Sequence, residues 1–286
     1  MHLYKTSEGP LLVHDEKVYQ LQQDWDLLIN RSALNRYLQE MTIKSTAFPI
    51  REKQNLIDRP LAPIGSQEVW AAGVTYLRSR DARMEESKDS GGADFYQKVY
   101  EADRPELFFK SLPHRVAAHN DTVNIREDST WNVPEPELTL FISSHGTIEA
   151  YTIGNDMSSR SIEGENPLYL PQAKMYEKSA AIGPCLYVPP APLSAETKIA
   201  ITIHRAGKEQ FNAGIQLNRM KRSLPELAGW LYRGCVFNTG CFLMTGTGLV
   251  PDDTFTLQEK DVVTIKIEGI GSLVNTVALL KFNARP

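Results

Sequence analysis

Two stretches in which apolar residues recur at every second position most strongly limit what this chain can fold into. In residues 199–203 and 263–267 each alternate position is valine or isoleucine. Successive side chains of a strand point to opposite faces, so this pattern indicates strands with one buried face. Shorter strand-like runs at 11–13 and 17–21 flank a turn-prone segment at 14–16. The sequence therefore predicts an α+β protein that is mostly β.

Two helices are also predicted. One covers residues 26–41, with Asp24 or Asp26 as its cap, because four apolar residues fall on one face at a 3.6-residue period: Leu27, Leu34, Leu38 and Met41. The other covers residues 224–233. Ser223 and Glu226 have capping-box spacing there, and Gly234 can supply a left-handed end.

The chain of 286 residues divides into two predicted domains. Residues 59–65 contain two prolines and a glycine, which favour an extended linker. We place the boundary near residue 62, with a small N-terminal α+β domain at 1–62 and a larger domain at 63–286. Within the larger domain, the highly charged stretch 78–106 contains two adjacent glycines. It is a candidate active-site lid, and the alternative is a solvated surface excursion.

Composition excludes several classes of function. The 31 basic and 35 acidic residues give a net charge of −4, with none of the basic clustering that nucleic-acid binding needs. No run approaches the ~18 apolar residues of a membrane span, and Lys5 and Glu8 interrupt any signal-peptide pattern. Cys185, Cys235 and Cys241 show no metal-site spacing and are interpreted as reduced core thiols. We expect a cytoplasmic protein whose partner is a small molecule.

The segment 133–142 carries the most informative polar residues. Glu135 and Glu137 would lie on one face of a strand, ~6.6 Å apart along the chain. Such a pair is either solvated or held together by a hard cation such as Mg²⁺. The next segment, 151–160, leaves an apolar run and enters a polar turn that contains Asp156. A third carboxylate there would complete a set of three oxygen ligands.

These segments resemble the fumarylacetoacetate hydrolase superfamily. In that family a Glu-x-Glu pair and the Asp of an Asn-Asp-x-Ser-x-Arg turn bind Mg²⁺ or Mn²⁺, a Lys follows, and a Gly-Pro closes the segment. The matching residues are Glu135, Glu137, Asp156, Lys174 and Gly183-Pro184. The runs 245–248 and 269–275 match later family features, so the resemblance extends from about residue 68 to the C-terminus. It implies a mixed β-roll with the metal site in its mouth, preceded by a small N-terminal domain.

Within the family, the runs 104–111, 165–174 and 245–251 resemble a branch that dehydrates 2-keto-3-deoxy sugar acids. That branch implies Mg²⁺-dependent loss of water from an acid of the 2-keto-3-deoxy-D-arabinonate or xylonate type, giving 2,5-dioxopentanoate. Mn²⁺ is an alternative metal. We expect the protein to form a homodimer or a homotetramer.

One departure from the family pattern favours this branch. Carbon–carbon bond hydrolases of the family carry a Gly-x-Asn-Tyr-x-x-His motif whose histidine activates water. In residues 73–79 of this chain, Thr75 replaces the asparagine and Ser79 replaces the histidine. His114 and His119 lie elsewhere and do not readily fill the gap.

A 2-keto acid could chelate a divalent ion at the three carboxylates, and the ion would stabilise the charge that develops when a C3 proton is removed. Lys174 is the candidate base and Glu106 the candidate acid at the C4 hydroxyl, although their roles could be exchanged. Arg160 is expected to fix the Asp156 turn through a carboxylate bridge.

Arg78 and Ser79 are candidate substrate contacts by resemblance, since they occupy the first substrate loop of the family. Lys110, after a strand-like run, and Thr247, in a glycine-flanked loop where the backbone can approach a carboxylate, are further candidates. Each has a structural alternative.

Two other functions remain open at this point. An acylpyruvate hydrolase or oxaloacetate decarboxylase would use the same metal site to break a carbon–carbon bond. A non-catalytic protein would only bind a 2-keto acid and metal. Ser79 argues against the hydrolase, whereas Glu106 and Lys174 argue against the binding protein.

Overall fold

A computed structural model describes residues 1–77 and 93–282 of the chain. Within these ranges the strands are β1 (His2–Thr6), β2 (Gly9–His14), β3 (Lys17–Gln20), β4 (Ala47–Pro49), β5 (Glu68–Gly73), β6 (Glu106–Ser111), β7 (Val116–Ala117), β8 (Thr122–Arg126), β9 (Asn132–Ile142), β10 (Ile148–Ser159), β11 (Ala180–Tyr187), β12 (Lys198–Arg205), β13 (Lys208–Gln216), β14 (Cys241–Met244), β15 (Val262–Ile267) and β16 (Gly271–Leu280).

The α-helices of the same ranges are α1 (Trp25–Ile29), α2 (Leu34–Lys44), α3 (Ile50–Ile57), α4 (Ala93–Glu101), α5 (Arg160–Glu165), α6 (Leu170–Lys174) and α7 (Leu224–Leu231). Short 3₁₀ turns cover Pro113–Arg115, Pro167–Tyr169 and Leu217–Arg219. Among these described helices, none has the length and apolar character that crossing a membrane requires.

The strands form two mixed sheets. In the part of the chain that is described, the larger sheet has eleven strands in the order β4-β3-β2-β1-β11-β10-β9-β14-β5-β6, with β7 paired to β11. The smaller sheet has five, in the order β13-β12-β15-β16-β8. Most neighbours are antiparallel, whereas β14 with β5, β7 with β11 and β8 with β16 are parallel. The prediction of a mostly β, α+β protein is confirmed, as are the alternating strands, now β12 and β15.

Strand β9 is buried on both faces because the large sheet lies between two apolar layers. Leu138, Leu140 and Ile142 pack in one cluster with the alternating residues of β12 and β15 in the smaller sheet. Phe141 points to the opposite face, where it packs with residues of α1 and α2. Glu135 and Glu137 share the parity of Phe141, so they lie on its face toward the other end of the strand.

The N-terminal strands continue the large sheet. β1 pairs with the edge of β11, where Leu3 lies opposite Leu186, and β2 and β3 follow outward. The side chains of α1 and α2 bury Phe141 and Phe242 of the central strands. Residues 1–62 are therefore joined to the rest of the chain both by backbone hydrogen bonds and by a shared apolar cluster. The domain boundary near residue 62 stays a prediction.

The single helix predicted over 26–41 is wrong. The structure has α1 and α2, separated by residues 30–33, with Ala33 in the left-handed conformation at φ 56°. Asn30 causes the break, since its side chain donates to Asn238 O and accepts from Ser144 N. The break rotates the predicted apolar face, so that Leu34 and Leu38 are buried while Leu27 is 72% exposed.

The other predicted helix is confirmed with a different end. Helix α7 begins at the Ser223–Glu226 capping box, in which each side chain accepts from the other residue's backbone N–H. It ends at Leu231 with Tyr232 as a right-handed cap, so Gly234 is not the left-handed end that we expected. Tyr232 donates its hydroxyl to Ile142 O and Ser143 O, which draws the chain away from the helix axis.

The polar turn predicted within 151–160 is also wrong, because β10 continues to Ser159. Its pairing with β9 extends from Ile148 opposite Ile142 to Ser159 opposite Asn132. The last two polar side chains of the strand have partners inside the protein: Ser158 donates to Glu163, and Ser159 donates to Ser129. All three cysteines are free. Cys185 and Cys241 are buried, as expected of core thiols, whereas Cys235 is only partly buried.

Val74, immediately after β5, is buried in a strained backbone conformation. Its φ of +53° lies in the left-handed region, which β-branched residues strongly avoid. The turn leads directly to Thr75, whose hydroxyl donates to Thr245 O at 2.7 Å. The surrounding structure therefore holds Val74 in a conformation that its side chain opposes.

We expect glycine to be the better replacement at Val74. Val74→Gly and Val74→Ala both lose packing, but only glycine relieves the strain, so its free energy of unfolding should exceed that of the alanine variant by about 1 kcal/mol. Urea denaturation measures both. At Val69, buried in β5, the same pair should give the usual order with alanine more stable. The same order at both positions would contradict the strain.

Candidate metal centre

Strand register brings three carboxylates together on one face of the large sheet. Asp156 on β10 lies directly opposite Glu135 on β9, and Glu137 follows Glu135 by two residues. All three side chains are buried, and each offers one oxygen within 4.8 Å of the other two. The predicted Glu-x-Glu pair and Asp156 are therefore adjacent in the structure. Their role as metal ligands stays a prediction.

Two cations from the chain after β10 lie against these carboxylates. Lys174, at the end of α6, places its Nζ 2.5 Å from Glu135 Oε2 and 3.2 Å from Asp156 Oδ2. Arg160, at the start of α5, donates from Nη2 to Glu135 Oε1 at 2.6 Å. We expected Arg160 to bridge to Asp156, whereas the structure pairs it with Glu135. The extended β10 carries the backbone of Arg160 to Trp131, whose carbonyl accepts from the Arg160 N–H, and the long side chain reaches back along the sheet to Glu135.

Lys110 supplies a third buried cation. Its Nζ lies 2.5 Å from Asp156 Oδ1 and donates to Met157 O and Lys174 O. Burial lowers the pKa of this ammonium, while Asp156 opposes that effect. A contact between Lys110 and substrate stays a prediction. In the structure this side chain is fully buried and ties β6 to Asp156 and to the backbone of the Lys174 segment.

Glu137 is the member of the group with the weakest charge compensation. Burial raises its pKa well above 4.5, and the nearby Asp156 and Glu135 carboxylates raise it further. The backbone N–H of Gly246 donates to its Oε2 at 2.6 Å and acts in the opposite direction. A divalent cation between the three oxygens would supply the missing positive charge. The donor set, carboxylate oxygens alone, fits a hard ion such as Mg²⁺ or Mn²⁺.

Thr75 and Gly246 form a support for Glu137 that the sequence did not reveal. Gly246 has φ +93°, and a β-carbon there would lie 1.9 Å from the Thr75 hydroxyl oxygen. Only glycine therefore fits between Thr75 and the Glu137 carboxylate. The glycine-flanked motif at 245–248 was the available signal, but it does not indicate which acidic residue the loop contacts.

Glu106 begins β6 and pairs with Gly73 at the end of β5. A β-carbon on Gly73 would lie 2.1 Å from Glu106 Oε2, so the absence of a side chain at Gly73 creates the space that this carboxylate occupies. Its Oε2 is buried. Gly73 is also the first residue of the motif in which Thr75 replaces the family asparagine, so Glu106 lies beside the start of that motif.

The remaining candidate substrate contacts differ in what the structure describes. Thr247 is buried, and its hydroxyl bonds to both the N–H and the carbonyl of Leu249, which shapes its own loop. Arg78 and Ser79 lie outside the described residues, as does most of the charged stretch interpreted as a lid. The part of that stretch that the structure describes begins with helix α4.

Comparison with known proteins adds independent information. The family model described as the fumarylacetoacetate (FAA) hydrolase C-terminal domain matches residues 69–278. A relative from Haloferax volcanii, named "Probable 2-keto-3-deoxyxylonate dehydratase", is 43% identical over 251 residues, 87% of this chain and 84% of that protein. The 2-dehydro-3-deoxy-D-arabinonate dehydratase of Saccharolobus solfataricus is 39% identical over 219 residues, 75% of this chain and 73% of that protein.

A solved structure agrees with the fold over the whole chain. It is a 2-keto-3-deoxy-D-arabinonate dehydratase complexed with magnesium and 2,5-dioxopentanoate, with a TM-score of 0.85 and 30% identity. The match covers 99% of this chain and 100% of that one. The expectation of a mixed β-roll of the family type is thereby confirmed.

Glu137→Gln should separate metal binding from stability. The change removes a buried charge and keeps the shape, so the metal-free variant should have a Tm no lower than that of the wild type at neutral pH. Mg²⁺ should raise the Tm of the wild type by binding its native state and leave the variant unchanged. Folding raises the pKa of Glu137, so below pH 4.5, where this carboxyl is protonated in both states, its contribution to the free energy of unfolding is complete. As the pH rises, that contribution is lost because the carboxyl ionises more readily in the unfolded state. Only the metal-free wild type should show that loss.

Asp261→Asn is the matched control. Asp261 is also buried, and it accepts two hydrogen bonds from Arg205 away from the carboxylate group. This variant should melt at a lower temperature and keep the Mg²⁺-dependent increase. A Glu137→Gln protein that Mg²⁺ still stabilises as much as the wild type would contradict the assignment of Glu137 as a ligand.

Proposed function

The chain belongs to the fumarylacetoacetate hydrolase family, and we propose that it removes water from a 2-keto-3-deoxy pentonate to give 2,5-dioxopentanoate. The observation that carries the proposal is the buried group of Glu135, Glu137 and Asp156, with the Lys174 ammonium against two of its members. The named dehydratases among its relatives support the same reaction.

In this proposal the three carboxylates hold one Mg²⁺ ion, with Mn²⁺ as the alternative. When bound, the ion supplies Lewis-acid stabilisation of negative charge on the keto oxygen of the substrate. Arg160 pairs with Glu135 Oε1 and Lys110 with Asp156 Oδ1, so a buried cation holds each of these two carboxylates in place. Glu137 is oriented by Gly246 N–H. Fixed ligand positions of this kind reduce the reorganisation that binding would otherwise need.

Lys174 takes the proton from C3 of the substrate as a neutral amine. The ammonium that lies against Glu135 and Asp156 would first release its proton, as it would once a divalent cation compensates the charge of those two carboxylates. The Lys174 side chain is fully buried and its Nζ lies between Glu135 and Asp156, so it is adjacent to any substrate that reaches the metal site. The Phe108 ring, centred 6.0 Å from Nζ, forms an apolar wall beside it. Such a wall limits the access of water to the amine.

Glu106 gives its proton to the departing C4 hydroxyl. Its buried carboxyl oxygen lies beside Gly73, the first residue of the sequence motif in which Ser79 replaces the water-activating histidine. The C3–H and C4–O bonds break and one water leaves. Tautomerisation of the resulting alkene returns one hydrogen each to C3 and C4, while C5 and its hydroxyl each lose one, which produces the C5 aldehyde.

A substrate panel tests the reaction class. We expect purified protein with Mg²⁺ to convert a 2-keto-3-deoxy pentonate to 2,5-dioxopentanoate, and EDTA to stop the reaction until Mg²⁺ or Mn²⁺ is restored. Product aldehyde is measured with an aldehyde dehydrogenase and by NMR. Cleavage of acylpyruvates or oxaloacetate with no turnover of any 2-keto-3-deoxy pentonate would overturn the proposal in favour of carbon–carbon bond cleavage.

Variants at Lys174 and Glu106 test the two proton transfers. Lys174→Ala and Glu106→Gln should each reduce turnover by about 10²- to 10⁴-fold. Pyruvate can lose a C3 proton but has no C4 hydroxyl, so exchange of its protons with D₂O isolates the first step. We expect Lys174→Ala to abolish that exchange and Glu106→Gln to keep it.

The exposed residues Lys198 and Glu196 provide controls of the same chemical type. Lys198→Ala and Glu196→Gln should leave both dehydration and exchange unchanged. The opposite pattern of exchange, lost in Glu106→Gln and kept in Lys174→Ala, would mean that the two residues have exchanged roles.

A further inference from the structure

The segment Met220–Lys221–Arg222 contacts the chain on both sides of residues 78–92. On one side, Met220 forms a bridge with Tyr76, and the backbone N–H of Lys221 donates to Thr75 O at 2.9 Å. On the other side, the Lys221 ammonium donates to Tyr100 O and lies 4.5 Å from the centre of the Tyr100 ring. One short segment therefore holds the end of β5 and the end of α4 together.

Arg222 makes the stronger contact with the end of α4. The last carbonyls of a helix have no partner within the helix. Arg222 donates from Nη2 to Val99 O and Ala102 O, and from Nη1 to Asp103 O at 2.7 Å. Its side chain is 6% exposed, so water does not compete strongly for these bonds. The guanidinium thus satisfies three carbonyls at the point where α4 ends.

The guanidinium is itself fixed by helix α7. Its Nη1 also donates to Glu226 Oε1 at 2.8 Å, and the other oxygen of Glu226 accepts from the backbone N–H of Ser223. Glu226 is part of the capping box, so its carboxylate has a defined place at the start of the helix. Arg222 consequently links the start of α7 to the backbone carbonyls at the end of α4.

A second contact with α7 fixes the next residue along the chain. The Arg104 guanidinium lies over the Trp230 ring, 4.7 Å from its centre. Pro105 then restricts the backbone, and Glu106 follows as the first residue of β6. Only Arg104 and Pro105 separate the carbonyl held by Arg222 from Glu106. A shift of Asp103 would therefore move the backbone that carries the Glu106 carboxylate.

We propose that Arg222 is a positioning residue for Glu106, acting through the backbone of residues 99–104. The proposal rests on the proposed function, in which Glu106 protonates the departing hydroxyl. A proton donor must lie within hydrogen-bond distance of its target, and a displacement of about 1 Å can reduce the rate by about 10²-fold. Arg222 is not itself placed at the metal centre, so its loss affects the Glu106 step and leaves metal binding unchanged.

A double-mutant cycle tests this coupling. Arg222→Met in the Mg²⁺-loaded full-length protein should lower kcat for dehydration by about 10- to 100-fold and change KM much less. In the Glu106→Gln background, the same substitution should produce no further loss, since Arg222 acts through a carboxylate that is already absent. Mg²⁺ affinity, measured by calorimetry, and pyruvate proton exchange should remain at the level of the parent protein in each case.

Arg222→Lys keeps the variant testable if the methionine protein does not fold. Lysine retains the charge but cannot reach all four acceptors from one fixed plane, so it should give a smaller kcat loss that also disappears in the Glu106→Gln background. Arg205→Met is the matched control. Arg205 pairs with Asp261 through two nitrogens, at 2.8 and 2.7 Å. Its loss should lower the Tm and leave kcat unchanged.

The outcomes separate the role of Glu106 from the role of Arg222. If Glu106→Gln turns over as fast as the wild type, the role of Glu106 in the proposed function is wrong. If Glu106→Gln is impaired, Glu106 keeps its role. Positioning by Arg222 is then refuted if the Arg222 variants keep the wild-type kcat, or if they lower kcat as much in the Glu106→Gln background as in the wild type. A kcat loss in Arg205→Met equal to that in Arg222→Met would refute it too, because general loss of stability would then explain both.

Discussion

A buried carboxylate is stable only when positive charge or hydrogen-bond donors replace the water it has lost, and much of this structure is arranged by that requirement. The cations that meet it come from three separate elements: Lys110 from β6, Arg160 from α5 and Lys174 from α6. Each of these elements is held against β9 and β10 by its charge as well as by packing. The positions of the sheet edge and of two short helices therefore depend on a few acidic oxygens.

The pairing of β9 with β10 gives those oxygens their positions. Because Asp156 lies opposite Glu135, a shift of the register by one residue would turn it to the other face, among the apolar residues of the smaller sheet. Leu138 and Leu140 on that face are fully enclosed and oppose such a shift. The apolar layer on one side of the sheet thus maintains the arrangement of charges on the other.

Local patterns in the sequence were sufficient for the alternating strands β12 and β15 and for the pair of glutamates, since spacing along a strand determines which residues share a face. They were insufficient wherever a distant residue decides the outcome. Asn30 interrupts a helical pattern through bonds to residues more than one hundred positions away. Asp156 was expected in a turn because the residues around it are polar, and the local sequence does not show that this segment pairs with β9. The contacts of Lys110 and Arg222 likewise depend on tertiary structure, and no nearby motif indicates them.

The way in which the N-terminal strands join the large sheet has a consequence for how this chain can be shortened or fused. Without β1, the hydrogen-bonding groups of β11 would form an open edge, and without α1 and α2, Phe141 and Phe242 would lose the apolar side chains that cover them. An unpaired edge beside an uncovered aromatic surface is a template for association between chains. Strand β9 carries Phe141 and Glu137 on the same face, so chains that associated there would do so one strand length or less from the carboxylate group.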